Sequence, residues 1–538
     1  MAPPFSFPAG PFDVIIVGGG SAGSVLAGRL SADPALSVLL IEAGPDLTPD
    51  TAPPEILDAS DASGPLRSGA RFMWPDFYTT RHADQPPGRY YEQARILGGG
   101  SSINMQAANR GVPSDYDDWA ARGAEGWHWE AVLPYFRKLE TDTTFGEGPL
   151  HGGSGPIPIS HDRLEHWSGF NRAVSAVLAD HGLPFLEDQN GDFRTGHFRM
   201  AQSHDGQQRS SAAFGYLDAT VRARANLTLL TDTTVSALLV EGGAVRGVDI
   251  GTPAAPRPLA ARRVILAAGA LHTPVLLLRA GIGPADELRA LGIAPVADRP
   301  GVGRGLWEHA SIALVSPVAG GQWPQGWRRS GVGARFSSGL PGADPADLFA
   351  VITASPEGMM AGLWINRPDS VGRVALSGPG LADRPLRDLN LLADPRDIDR
   401  LRIGLRRLAA VLGDARLAPF GLAPQLYRFG VPEGGISAPL AELLADDAAL
   451  VRHLRYNVSG VWHACGTARM GRAEDPLAVV DPEGRVYGVA GLWVGDASVF
   501  PGVPSANINL PTLMAAEKLA DAFLARHALA PASAALPA

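Results

Sequence analysis

The clearest hydrophobic pattern in the chain is a pair of short apolar runs near the N-terminus, separated by a helical pattern. Residues 14–17 are an unbroken β-branched run, typical of a strand buried on both faces of a parallel sheet. Residues 21–32 have helical spacing, and residues 37–41 form a second apolar run. The pattern therefore predicts a strand–helix–strand unit at the start of an α/β domain.

The turn between the first strand and the helix carries glycines at a diagnostic spacing. Gly18, Gly20 and Gly23 form the pattern G-x-G-x-x-G. The first allows a tight turn, the second lets the backbone approach a pyrophosphate, and the third lets the helix pack on the strand. Glu42 ends the second strand 24 residues after Gly18 (42 − 18), near the roughly 20 expected for a ribose-hydroxyl acceptor. The alternative is a plain glycine turn, but the order of elements favours a bound dinucleotide.

Similar strand-to-helix units recur later in the chain. Residues 262–267 predict a strand that runs into a small-residue turn and a helix ending at residue 278. Residues 491–497 and a helix over 512–525 close the chain. Further strands are predicted over 227–230, 234–240 and 245–250. Nucleotide-type segments thus lie near 12–45, 225–305 and 485–527, which predicts a cofactor domain that is discontinuous in sequence.

Between those segments the pattern changes to the strands of a second sheet. Strands are predicted over 310–317, 348–354, 363–366 and 373–376, and 397–411 is an amphipathic helix. We predict this division: 1–160 and 225–308 as cofactor-domain parts, 161–224 and 309–480 as substrate-domain parts, and 481–538 as a third cofactor-domain part with a frayed tail.

Composition narrows the class of protein. The 538 residues are 45% hydrophobic and 19% charged, as expected for a globular chain, and the net charge is −9. That charge argues against nucleic acid or an anionic membrane as the main partner. No run of 18 apolar residues predicts a membrane span, and no leader peptide is evident. With Cys465 as the sole cysteine, we expect a cytoplasmic protein without intrachain disulfides.

A long irregular segment, residues 48–90, precedes a glycine- and serine-rich loop over 98–105. Long irregular segments in compact proteins are often functional, and such a loop can bring many backbone amides near a ligand. Helices are predicted next over 115–122, with Ser114 as the N-cap, and over 129–140.

Five motifs are spread along most of the chain, at residues 94–104, 269–283, 301–309, 461–471 and 496–512. Together and in this order they resemble the motifs of one family, the glucose-methanol-choline (GMC) flavoprotein oxidoreductases. Ala280 stands where that family usually has serine, and Gly305 and Glu308 replace the usual asparagine and aspartate.

The resemblance implies a Rossmann-like FAD-binding domain in an α/β fold, with an α+β substrate-binding domain whose antiparallel sheet is flanked by helices. It also implies FAD as cofactor, bound non-covalently, because Ile103 stands where some members carry the histidine that bonds to flavin. The residues implied to bind FAD are Gly18, Gly20, Ser21, Ala22, Gly23, Glu42, Ala43, Trp74, Arg95, Leu97, Gly98, Gly99, Ser102, Asn104, Met105, Val235, Asp496, Ala497, Asn507 and Asn509.

The resemblance places two catalytic residues. His463 would take the hydroxyl proton while flavin N5 takes the hydride, and Asn507, 44 positions later (507 − 463), would hold the substrate oxygen. The implied substrate pocket contains Ile103, Met105, Met360, Trp364, Trp462 and His463. For Met360 and Trp364 an ordinary core position is an equal alternative. His309 and Cys465 are expected to be structural, and no metal site is predicted because Cys/His clusters with ligand spacing are absent.

The leading functional hypothesis is an FAD-dependent oxidase that converts aromatic or furanic primary alcohols to aldehydes and reduces O2 to H2O2. A second hypothesis is a dehydrogenase that passes electrons to a quinone or another acceptor. A third is a hydroxynitrile lyase on the same scaffold, with flavin bound but not cycled, and a fourth is a redox-inert binding protein that retains the fold.

Overall fold

The structure is a computed structural model that describes residues 11–67, 69–85, 88–320, 331–427 and 436–529. Residues 1–10, on which the leader prediction depends, and residues 530–538 of the predicted frayed tail lie outside the described residues.

A parallel sheet forms the centre of the first domain. Phe12–Val17 pairs in parallel with Val38–Ile41 on one side and with the second half of Pro258–Leu266 on the other. Leu227–Leu230 and Leu492–Val494 extend the sheet at its two ends, again in parallel. The β-branched run at its centre is buried, as its apolar pattern predicts. The predicted α/β fold is confirmed, with strands contributed by three separate stretches of the chain.

Two antiparallel strands complete this sheet. Ala244–Asp249 pairs with the first half of Pro258–Leu266, and Ala237–Glu241 pairs with Ala244–Asp249. The strand predicted over 262–267 is therefore longer than predicted. Its N-terminal half pairs with an antiparallel strand, and its C-terminal half belongs to the parallel part of the sheet.

Two helices cover one face of the parallel sheet. Ser21–Leu30 packs against Asn509–Leu529, and the two are joined by paired hydrogen bonds from Arg29 to the buried Glu517 carboxylate. The first helix ends two residues earlier than predicted, and the last begins three residues earlier, at Asn509. That early start places Asn509 beside the glycine turn, where it accepts a hydrogen bond from Ser21 Oγ at 2.9 Å.

The second sheet has eight strands, and it confirms the predicted antiparallel sheet. Every neighbouring pair is antiparallel except the last, which is parallel. In spatial order the strands are Ile436–Pro439, Gln425–Tyr427, Ser311–Ser316, Gly358–Ile365, Leu348–Ser355, Gly331–Phe336, Gly196–Arg199 and Phe185–Leu186. Helices Pro395–Leu412 and Gly169–Asp180 pack on it.

One predicted strand lies elsewhere. Gly372–Ala375 belongs to a separate three-stranded sheet with Arg304–Leu306 and Leu386–Asp388, not to the eight-stranded sheet. Gly372 approaches the Asp388 carbonyl so closely that a Cβ would lie 2.0 Å from it. The pairing therefore depends on a distant glycine contact that local hydrophobicity does not reveal.

The predicted cap at Ser114 is also wrong. The helix is Pro113–Ala121, so Ser114 lies inside its first turn, and the Asp115 carboxylate accepts the N–H of Val112 instead. Among the described residues, no helix is long and apolar enough to cross a membrane.

The remaining elements connect and cover the two sheets. The α-helices are Pro54–Leu57, Gly64–Arg67, Gly100–Ile103, Trp129–Leu139, Ala212–Tyr216, Ala219–Arg222, Thr273–Arg279, Ala285–Ala290, Leu440–Ala445 and Asp447–Asn457. The short strands are Tyr78–Thr79, Arg89–Tyr90, Glu140–Asp142, Ile157–His161, Ala201–Gln202, Ile282–Gly283 and Ala297–Asp298. The 3-10 helices are Gly69–Phe72, Leu164–His166, Ala415–Phe420 and Ala497–Val499.

We propose the domain boundaries at residues 160, 224, 308 and 480 on the basis of sheet membership. Among the described residues, all strands of the eight-stranded sheet come from 161–224 and 309–480, and all strands of the sheet centred on Phe12–Val17 come from 1–160, 225–308 and 481–538.

Candidate active site

One large cavity brings the predicted cofactor residues and the predicted catalytic residues together. Its volume is about 1840 Å³, and its walls include both the Gly18–Gly20 turn and the imidazole of His463. The other predicted site residues in the walls are Ser21, Ala22, Glu42, Ala43, Trp74, Gly99, Ile103, Asn104, Met105, Val235, Met360, Trp364, Trp462, Asp496, Ala497, Asn507 and Asn509.

Five residues predicted to contact the cofactor do not line the cavity: Gly23, Arg95, Leu97, Gly98 and Ser102. Their side chains or backbone amides form contacts within the protein. Arg95 Nε donates to the Ala43 carbonyl at 3.0 Å, and Ser102 Oγ donates to the Leu97 carbonyl at 2.9 Å. These residues therefore hold the loops that form the wall, and their direct contact with FAD stays a prediction.

Gly98 and Gly23 act in the same indirect way, through backbone packing. The Gly98 N–H donates to the Gly19 carbonyl at 2.7 Å, which fixes the glycine- and serine-rich loop against the first turn. A Cβ on Gly23 would lie 1.9 Å from the Gly18 carbonyl oxygen, so only glycine lets the helix sit this close to the strand.

The glycine turn presents bare backbone to the cavity. Gly18 has φ +100°, and a Cβ there would lie 2.6 Å from the Ala267 carbonyl oxygen. Gly20 is the N-cap of Ser21–Leu30 and offers no side-chain cap, so the first amides of the helix are free of side-chain partners. Free amides at a helix N-terminus attract a phosphate. The geometry fits the diphosphate of a dinucleotide.

Glu42 stands in the cavity wall beside this turn. Its Oε2 accepts the Gly19 N–H and its Oε1 accepts the Gly44 N–H, both at 2.8 Å. Burial raises the pKa of this carboxyl, and the backbone hydrogen bonds oppose that rise. Each oxygen has a further lone pair for a ligand hydroxyl.

At the other predicted cofactor segment, Asp496 joins its own turn to the segment 269–273. Its Oδ2 accepts hydrogen bonds from the Gly269 N–H and the Thr273 hydroxyl, at 2.8 and 2.6 Å. Its Oδ1 accepts the Ser498 N–H at 2.8 Å. Burial raises the pKa of Asp496, and these donors oppose the rise. The carboxylate thus fixes the end of the parallel sheet where Ala497 also meets the cavity.

Three side chains form a hydrogen-bonded row, and two of them, His463 and Asn507, line the cavity. The Nδ1 atoms of His309 and His463 are 2.8 Å apart, and the two rings are nearly perpendicular at 89°. On its other side, His463 Nε2 lies 3.1 Å from the Asn507 amide nitrogen. Asn507 itself is held by its backbone N–H, which donates to Asn109 Oδ1 at 2.8 Å.

The amide orientation of Asn507 sets the proton assignment in this row. With the Asn507 nitrogen facing His463, Nε2 of that histidine accepts, and its Nδ1 then donates to His309 Nδ1. Burial lowers the pKa of His463 well below its usual range and lowers that of His309 to about 3. Both imidazoles are therefore neutral at pH 7, and the unprotonated nitrogen of His463 is the one that faces the cavity.

His309, which the sequence predicts to be structural, contacts His463 directly. The available signal was its place at the end of the 301–309 motif. Sequence reasoning also missed Glu308, which accepts the backbone N–H of His463 at 2.9 Å. No local pattern links these residues to position 463.

The opposite wall belongs to the eight-stranded sheet. Met360 is 48% exposed and Trp364 is 7% exposed, and both line the cavity. Trp364 also stacks on Phe349 with ring centroids 4.7 Å apart, so its two predicted alternatives, pocket wall and core, both describe it. Trp462 is 37% exposed, and its indole N–H donates to Glu92 Oε2 at 2.9 Å.

A buried ionic cluster lies outside this cavity. Glu140, Asp142 and His151 have potential metal-ligand atoms within 4.8 Å of one another. Burial lowers the pKa of His151, but hydrogen bonds to Asp142, Asp188 and Glu140 outweigh this effect and raise that pKa to about 11. The imidazolium then supplies the positive charge that these carboxylates need, so the absence of a metal site remains our prediction. Cys465 is fully buried, and burial raises the pKa of its thiol.

Comparison with known proteins decides the family. The N-terminal profile of GMC oxidoreductases matches residues 12–311, and the C-terminal profile matches residues 368–516. The chain belongs to the GMC oxidoreductase family. This confirms the resemblance, and with it the enzyme class and FAD as the cofactor.

Individual relatives of this GMC oxidoreductase cover nearly its whole length. It is 51% identical to a 5-(hydroxymethyl)furfural oxidase of Methylovorus sp. (strain MP688), over 95% of this chain and 98% of the relative. It is 32% identical to the mitochondrial choline dehydrogenase of Homo sapiens, over 96% and 90%. Among solved structures, pyridoxine 4-oxidase from Mesorbium loti superposes with a TM-score of 0.81 at 31% identity, over 96% and 99%.

Proposed function

We propose that this GMC oxidoreductase oxidises aromatic or furanic primary alcohols to aldehydes, with His463 as the base and with O2 reduced to H2O2. The observation that carries the proposal is the row of His309, His463 and Asn507, which presents a neutral imidazole nitrogen to the cavity. The 51% identity to a 5-(hydroxymethyl)furfural oxidase supports the substrate class.

The two side chains divide the work on the substrate hydroxyl. His463 Nε2 takes the O–H proton, because its low pKa keeps it unprotonated in the resting enzyme. Asn507 Nδ2 then donates to the substrate oxygen as negative charge develops there. The 3.1 Å separation of the two nitrogens lets one oxygen reach both groups after modest side-chain adjustment.

Bound FAD would supply the hydride acceptor for the alcohol carbon. The Gly18–Gly20 turn would hold its diphosphate, Glu42 its adenosine ribose, and Asp496 and Ala497 its ribityl region. Ile103 lines the same cavity and has no group that can bond to flavin, so we propose that FAD binds without a covalent link.

We expect Glu42→Gln to weaken FAD binding by about 10- to 100-fold, the usual effect of losing a hydrogen bond to a charged group. The measurement is the dissociation constant from the quenching of FAD fluorescence by apoprotein. Asp46→Asn is the matched control, because that carboxylate pairs with Arg222 and lies outside the cavity wall. Equal FAD affinity of wild type and Glu42→Gln would contradict a contact between Glu42 and FAD. The role of Glu42 would then be to bind the Gly19 and Gly44 amides.

The cavity wall favours neutral alcohols over cationic ones. The described residues of the eight-stranded sheet that line it are uncharged: Ser311, Ala313, Val315, Ser316, Gly331, Val351, Thr353, Ala354, Ser355, Gly358, Met359, Met360, Gly362, Trp364, Gln425 and Tyr427. Two carboxylates beside these strands, Glu92 and Glu357, also line the cavity, but Glu92 already accepts the Trp462 indole N–H and Glu357 already accepts the Ser355 hydroxyl. A buried quaternary ammonium would find little compensation here.

We therefore expect kcat/KM for furfuryl or benzyl alcohol to exceed that for choline by at least about 100-fold, equivalent to roughly 3 kcal/mol. An assay of the three alcohols with one FAD-loaded preparation measures the ratio. Comparable values would contradict the neutral-substrate proposal without touching the role of His463.

The electron acceptor needs its own test, because the relatives include both oxidases and dehydrogenases. We expect one H2O2 for each aldehyde in air. Rapid dye reduction without peroxide would instead favour the dehydrogenase hypothesis.

A further inference from the structure

A single buried carboxylate lies behind the two imidazoles. Glu308 is 1% exposed and lies outside the cavity wall. Its oxygens accept the backbone N–H groups of His309 at 3.0 Å, Val461 at 3.2 Å and His463 at 2.9 Å. They also accept the Tyr91 hydroxyl at 2.8 Å. One side chain thus binds the backbone of both histidines in the row.

The segment before His463 is shaped to receive this carboxylate. Trp462 has φ +62°, a left-handed conformation that is rare for a bulky residue. With that residue reversed, the N–H groups of Val461 and His463 point to the same side and form an anion-binding concavity. A Cβ on Gly460 would lie 2.7 Å from Glu308 Cγ, so glycine is needed for the close approach.

Backbone pairing fixes both ends of the contact. Trp307 and Cys465 form one antiparallel bridge, and Ser311 and Ser459 form another. Glu308 lies between these bridges on one segment, and the left-handed turn lies between them on the other. The carboxylate therefore lies between the two bridges, and within the described part of the chain it is the group that accepts the two amides that flank Trp462.

We propose that Glu308 is a positioning residue for the alcohol oxidation: its carboxylate holds the backbones of His309 and His463 so that the two rings stay hydrogen bonded and His463 Nε2 faces the cavity. The inference rests on the proposed role of His463. It assigns no contact between Glu308 and substrate or FAD.

The charge state of Glu308 gives the proposal a distinctive readout. The titratable groups that face it are Tyr91, Arg81, Cys465, His309 and His463. Burial raises the pKa of Glu308 to about 7, against the opposing effect of its donors. As pH falls through 7 the folded protein takes up this proton, and one acceptor oxygen becomes a hydroxyl. The rate of substrate oxidation should therefore fall on the acid side of pH 7.

Protonation of Glu308 has the opposite effect on the stability of the fold. Because the folded pKa lies above the ordinary value of 4.5, the contribution of this group to stability is complete below pH 4.5 and is lost as pH rises through 7. A loss of rate near pH 6 that accompanies unfolding would therefore have another origin.

The test is the rate of flavin reduction by benzyl alcohol, measured from pH 5.5 to 9 with FAD-loaded protein. Glu308→Gln keeps the shape and removes the charge. We expect its rate at pH 8.5 to fall about 10- to 100-fold, the usual effect of removing a group that orients a reacting one. We also expect the acid-side decline near pH 7 to vanish, with FAD content and KM nearly unchanged.

Two further variants make the test decisive. Glu308→Asp retains a carboxylate, so its rate of flavin reduction should still decline as pH falls. This variant keeps the test decisive if Glu308→Gln does not fold. Tyr91→Phe removes one donor to Glu308 and leaves the three backbone donors, so we expect a smaller loss of rate than in Glu308→Gln.

A Glu308→Gln enzyme with the wild-type rate and pH profile overturns the proposal, and so does Glu308→Asp without any acid-side decline. Either result leaves the proposed function intact provided that His463→Ala still slows flavin reduction by about 10²-fold or more. Failure of the proposed function would instead show as rapid flavin reduction in His463→Ala itself.

Discussion

Replacing His463 with alanine is expected to slow flavin reduction by alcohol about 10²- to 10⁴-fold, the usual contribution of a positioned general base. The variant removes the nitrogen that faces the cavity and leaves the alcohol with no described base at the same place. Anaerobic stopped-flow absorbance of the flavin measures the effect directly. FAD content should match wild type, because the diphosphate turn and Glu42 are untouched.

The pH profile sharpens this prediction. Burial keeps the pKa of His463 well below the ordinary histidine value of 6.5, so the imidazole stays neutral as pH falls past 6.5. Any loss of activity near pH 7 should therefore come from Glu308 and not from His463. His128→Ala is a matched control, because that histidine is exposed and outside the cavity. Normal reduction of the His463→Ala flavin would remove this residue from the mechanism.

Asn507→Ala is expected to lower the reduction rate by about 10²-fold, or roughly 3 kcal/mol, the effect of removing an oxyanion-type donor. The structure supports this size of effect because Asn507 is the other group that meets His463 Nε2 in the cavity wall. Without the Asn507 amide, His463 Nε2 also loses the hydrogen-bond donor that favours the unprotonated form of this nitrogen. The measurement is again anaerobic flavin reduction, with saturating alcohol.

Asn507→Asp separates donation from shape. It keeps the side-chain volume and the backbone N–H bond to Asn109, but the carboxylate cannot donate to the substrate oxygen. We expect this variant to be at least as slow as Asn507→Ala. A loss of about tenfold or less in both variants would make Asn507 a spacer and not an oxyanion donor.

The nucleotide half of the fold was predictable because its signals are local. The strand, the glycine turn, the helix and Glu42 are contiguous in sequence, and each has one physical requirement that few residue types meet. The strand over 373–376 shows the limit. Its hydrophobic pattern is equally clear, but sheet membership depends on Gly372 meeting Asp388, a contact that the pattern does not contain.

The site divides in the same way. Motif resemblance locates His463 and Asn507, and both lie in one cavity wall. The contact between His309 and His463 joins positions 154 residues apart, and the left-handed Trp462 runs against the preference of a bulky residue. Both features depend on Glu308, whose carboxylate accepts hydrogen bonds from amides that are distant in sequence. No pattern in a single sequence predicts these contacts.

Anaerobic mixing of the FAD-loaded wild-type protein with furfuryl or benzyl alcohol tests the central claim most directly. Our account predicts that the flavin absorbance bleaches, that one aldehyde forms per flavin, and that the oxidised spectrum returns in air with release of H2O2. A flavin spectrum unchanged by any of these alcohols, particularly if the protein cleaves a cyanohydrin, would contradict the oxidation proposed for this site.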